Sequence, residues 1–180
     1  MDDTQPITLP LEDLARNLAS FAIDRNDLKE LLASVPDDTT LNMTQVEYEI
    51  QLLKILSAGW AISFYMPEND KNKGPLAEMF WENIREVAER ISEMTVATSG
   101  AQVDYFQIIK DRLNFYLEEM QALGETENNP ASVMGGTFAK ACGNPEDPVA
   151  LLIGTKMVTL TLASIKAYLD AVTIDDTTLN

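Results

Sequence analysis

Histidine is absent from all 180 residues, and that absence closes more chemistry than any motif opens. Without an imidazole there is no Ser-His-Asp or Cys-His catalysis, no HExxH zinc site, and no Glu-x-x-His ligand set of the di-iron bundles. Cysteine is nearly absent too. Cys142 stands alone, so no intrachain disulfide forms, which fits a reducing compartment. Positive charge is scarce: 13 Lys and Arg face 29 Asp and Glu, for a formal charge of −16. The excess is spread along the chain, with −6 in residues 1–43, −4 in 44–100, −4 in 101–146 and −2 in 147–180. Such a surface disfavours nucleic-acid backbones and anionic lipid, and suits basic partners, cations or simple solubility. No run of about 20 residues is apolar without a charge. The acidic start MDDTQPITLP lacks the apolar stretch of a secretory signal. The expectation is a cytoplasmic protein with no membrane segment and no direct nucleic-acid contact.

What is present is helical periodicity. Hydrophobic residues make up 46% of the chain, enough for one core in a single domain of this length. Residues 147–172 read as the helix that the others pack against. Leu151, Ile153, Met157, Val158, Leu160, Leu162, Ile165 and Leu169 cover most of its circumference, leaving one narrow stripe of Lys156, Thr159, Ala163, Lys166 and Asp170. Asp147 and Pro148 supply an N-cap and a preset first turn. A second candidate for the centre is 44–66, uncharged from Ile55 onward, with Thr44 and Glu47 in capping-box spacing. Helix 75–98 shows an apolar stripe of Leu76, Phe80, Ile84, Val87, Ile91 and Met94; helix 102–123 shows Val103, Phe106, Ile109, Leu113, Leu117 and Met120. The fold class is therefore all-α: a bundle of four long helices, 44–66, 75–98, 102–123 and 147–172. Three shorter ones, 10–22, 26–34 and 131–142, pack on its ends or flank, with loose ends at 1–9 and 173–180.

The remaining constellations read mostly as structure. Glu82, Glu86, Glu89 and Glu93 share a helix face, as do Asp104, Asp111 and Glu118, but each row lies opposite an apolar stripe and so faces water. Residues 68–74 lack the sixth-position glycine and twelfth-position glutamate of a calcium loop. Gly135-Gly136 lacks P-loop spacing and reads as a flexible or closely packed helix. Cys142 sits near a helix C-terminus, where the dipole opposes a thiolate. No cofactor or metal is expected. The positions singled out for interface or ligand contact are Lys156, Thr159 and Lys166, cations and a neighbour on the most apolar helix, and Trp81, beside the main stripe of its own helix.

The function expected is a non-enzymatic helical interaction protein: an assembly component, adaptor or regulator that meets protein partners or further copies of itself through helix faces. A different class is a small-molecule carrier or sensor with an apolar cavity between helices. A third is an acidic inhibitor or chaperone of a basic partner.

Overall fold

The computed structural model describes residues 7–123 and 130–175. Within them run β1 (Ile7–Pro10), α1 (Leu11–Ile23), α2 (Asn26–Ala33), α3 (Met43–Tyr65), α4 (Lys73–Ser99), α5 (Tyr105–Leu123), α6 (Pro130–Ala141), α7 (Pro148–Ala171) and β2 (Val172–Asp175). The chain is an all-α helical bundle with one two-stranded sheet.

Side-chain oxygens set several helix starts. Asp147 Oδ1 accepts from the N–H groups of Val149 (2.8 Å) and Ala150 (3.0 Å) at the head of α7, as expected. For α3 the cap is Asn42, which accepts from Gln45 N at 3.2 Å, and not Thr44. Glu47, the expected reciprocal partner, pairs with Arg25 instead. Asp104 accepts from Gln107 N at 2.9 Å, so α5 starts three residues later than its apolar pattern suggests. Gly100 ends α4 with φ at 71°, a left-handed conformation costly for a side chain. After α6, Gly143 takes φ 76°, and Asn144 N reaches back to Ala139 O at 2.9 Å, closing the helix in a Schellman arrangement.

The centre of the bundle is α3 rather than the expected 147–172. It packs against each of the other six described helices, and its residues Leu52 to Gly59 form an unbroken buried run. The reason is charge. The stripe on α7 carries two lysines that stay in water, whereas α3 buries its core charges, Glu49 and Lys54, against partners on other helices. The neighbours of α7 are chiefly α6 and α3, while α1 lies across α4 and α3. The short helices α1 and α6 are thus integral layers and not appendages.

Two further expectations are corrected. Residues 7–9 and 173–175 are not loose: β1 and β2 pair in parallel, with Ile7 opposite Val172 and Pro10 opposite Asp175. Both segments are rich in β-branched residues, and Val172 and Ile174 lean on the core. Four residues are too few for alternation to reveal a strand. The stripe of α4 is buried only as far as Ala88; Ile91 and Met94, the latter 66% accessible, emerge into solvent because α4 outruns the elements that cover it. Residues 1–6, 124–129 and 176–180 fall outside the described residues, including most of the polar linker at 124–130.

Candidate functional site

The stripe on α7 is open along its whole length. Lys156, Thr159, Ala163, Lys166 and Asp170 are all exposed, and the apolar residues Leu152 (54%) and Leu160 (51%) stand among them. Lys166 Nζ donates to Asp170 Oδ2 at 2.6 Å and lies 5.9 Å from the Tyr65 ring centroid at the end of α3. The hydrogen bond and charge of Asp170 hold the Lys166 ammonium above its ordinary pKa. Thr159 turns its hydroxyl back to Thr155 O at 2.8 Å. Lys156 makes no ion pair among the described residues. Three of the four positions singled out in the sequence therefore share one solvent-facing strip. By length and composition α7 alone among the described helices could cross a membrane. Its inner face is taken up by α3 and α6.

Trp81, the fourth position, belongs elsewhere. It is half-buried against Gly59 of α3, where a Cβ would fall 2.4 Å from its Cζ2, and it meets Phe80 edge-on at 5.1 Å. Its surroundings are those of a helix-packing residue.

Between α3, α4 and α5 runs a half-open apolar cleft of about 470 Å³. Ile55, Ile84, Val87, Ile91 and Ile109 form its walls, and Tyr48 and Gln51 supply polar groups. Gln51 donates to Ala22 O at 3.0 Å, and the Arg25–Glu47 ion pair closes one border. The volume lies within the range of small-molecule sites.

Next to it is a polar cluster that the sequence reading missed. Glu49 of α3 is fully buried and accepts from Arg112 of α5 and, at 2.9 Å, from Gln45 Nε2. Tyr116, one helical turn beyond Arg112, is completely buried with its ring edge-on to Trp60 at 6.2 Å. Among the described residues neither Glu49 Oε2 nor the Tyr116 hydroxyl has a hydrogen-bond partner. Burial raises the Glu49 carboxyl above its ordinary pKa despite the opposing Arg112. Burial, with Glu49 nearby, raises the Tyr116 hydroxyl well above its own. The Cys142 thiol is pushed by burial and then by Glu49 to about 12, so at neutral pH it is a protonated core residue and no nucleophile. A signal existed: Glu49 lies on the arc of Val46, Ile50 and Leu53, and Arg112 on the arc of Tyr105, Ile109 and Tyr116, charges set inside inward-facing stripes.

A second buried charge is Lys54. It is wholly enclosed, donating to Asp27 at 3.0 Å and Asp24 O at 2.8 Å, with Phe21 4.4 Å beneath it. The carboxylate rows face water, as expected. Glu82 and Glu89 pair with Arg85, and Glu86 with Arg90. Among the described residues no group of three acidic or sulfur ligands converges on a point.

The chain matches no protein-family description, no curated protein and no solved structure.

Proposed function

We propose that this chain is a non-enzymatic interaction protein that meets other chains through helix faces, as an assembly component, adaptor or regulator. The observation that carries the reading is the open strip of α7. The most apolar helix in the molecule leaves Leu152 and Leu160 about half exposed, on a face edged by cations in a chain of net charge −16. Single exposed leucines are ordinary; two on one helical strip beside Lys156, which makes no ion pair among the described residues, make a surface suited to another chain. Native mass spectrometry on protein purified gently from its source cell tests this. A defined oligomer or a co-purifying chain supports it, and a strict monomer with no companion refutes it.

A second reading, a carrier or sensor of a small apolar molecule, draws support from the cleft of about 470 Å³ between α3, α4 and α5. Its isoleucine walls offer no charge to an ionic ligand, and Tyr48 and Gln51 offer hydrogen bonds at the edge. In the same experiment this reading requires a monomer carrying a few hundred daltons of excess mass, released on denaturation.

A further inference from the structure

The strip on α7 is self-complementary about Ala163. Leu152, Lys156, Thr159, Leu160, Ala163, Lys166, Ala167 and Asp170 are all exposed and fall within one arc of the helix, about 27 Å long. A second α7, laid antiparallel about a two-fold axis at Ala163, sets Ala163 opposite its own counterpart and Thr159 opposite Ala167. The same operation places Lys156 of each copy opposite Asp170 of the other. Lys156 makes no ion pair within its own described chain, and Asp170 accepts from Lys166 through Oδ2 alone. The rest of the surface opposes self-association: α1 to α5 each carry net negative charge, and only α6 and α7 are net positive. Two copies approaching by α7 bring their least repulsive faces together and cover Leu160.

We propose that two copies of this chain pair through α7, antiparallel about Ala163, with reciprocal Lys156–Asp170 contacts. The proposal rests on the helix-face reading above and names the partner. A single helix face is a small footprint, so the dimer is reversible and not obligate.

Sedimentation equilibrium of the full chain over a wide concentration range is the test. The wild type is expected to show a monomer–dimer equilibrium. Lys156→Glu or Asp170→Lys alone, each turning two attractions into two repulsions, weakens it by about tenfold. Combining K156E with D170K restores most of the lost affinity, an outcome that simple surface damage does not produce. Independently, Ala163→Cys in a Cys142→Ala background gives a disulfide-linked dimer on mild oxidation, because the axis faces residue 163 with itself. Leu152→Cys in the same background does not link efficiently. A monomer at all concentrations, or a dimer indifferent to the charge reversals, overturns the proposal. If that monomer carries a different chain from its source cell, only self-pairing falls; if it carries none, the helix-face reading falls with it.

Discussion

Phe138 of α6 fills the space that a side chain at Gly154 of α7 would need: a Cβ there would lie 2.8 Å from Phe138 Cβ. The relationship is repeated in reverse at Gly135 of α6, where a Cβ would meet Thr155 Oγ1 at 2.1 Å and the Leu151 carbonyl at 2.9 Å. The two helices thus approach closely at two points, each held open by a glycine on one of them. Alanine at either site gains about 1 kcal/mol of helix propensity. Overpacking costs about 1–3 kcal/mol, and more where backbone blocks the shift. Urea denaturation is expected to show Gly135→Ala and Gly154→Ala both destabilised, Gly135→Ala the more so because the Leu151 carbonyl cannot swing aside.

Lys54 and Asp27 are unequal partners. Lys54 is fully enclosed, whereas Asp27 keeps 43% of its side chain accessible. Asp27→Asn leaves a buried ammonium with the Asp24 carbonyl and the Phe21 face, and is expected to cost about 2–4 kcal/mol. Lys54→Met removes the buried charge and leaves a carboxylate that water reaches, so its stability stays within about 1 kcal/mol of wild type. Equal losses in the two variants, measured by chemical denaturation at neutral pH, would contradict this asymmetry.

Glu49 makes stability depend on pH in a definite direction. Burial lifts its carboxyl pKa in the folded chain, so the folded state holds this proton more tightly than the unfolded state. Its contribution is greatest below the unfolded value of about 4.3 and is lost as pH rises through the raised folded value. Glu49→Gln keeps an acceptor for Arg112 and removes the titration. The stability of wild type relative to this variant is expected to decline from pH 4 upward and then level off. A difference that grows more favourable to wild type with pH would refute the assignment.

Cys142, with its pKa near 12 against an ordinary 9.0, carries about a thousandfold less thiolate than an exposed thiol at pH 8. Alkylation of the native protein should be slower than that of a model thiol by at least this factor, and should speed up sharply across the urea transition. Fast labelling without unfolding would show that α6 opens locally.

The helices were legible because their apolar residues recur at helical spacing, and the strip from Lys156 to Asp170 was legible because the same pattern leaves a gap. Periodicity identifies the greasy side of a helix and says nothing about what covers it. Ile91 and Met94 continue the stripe of α4 and yet emerge into solvent, and α7, the more apolar helix, yields the centre to α3. Trp81 looked displaced from its stripe because its counterpart is a glycine on another helix, a match that no local pattern contains.

The cluster of Glu49 and Arg112 was hidden for the opposite reason. Each is a charge inside an apolar arc, and each alone reads as an interruption at a helix surface. Only their meeting, across a separation of 63 positions in sequence, makes burial tolerable. Likewise β1 and β2, one leading into the first helix and the other following the last, become strands only by finding each other.

That pairing has a topological meaning. Because β1 and β2 run side by side and in the same direction, everything from Leu11 to Ala171 is one long crossover, and the described chain closes on itself like a ring with a clasp. A ring can be opened anywhere its links are exposed. Joining the outer ends of the clasp with a short flexible linker and cutting instead among the exposed residues Pro67 to Asn69, between α3 and α4, should yield a permuted protein with the same bundle.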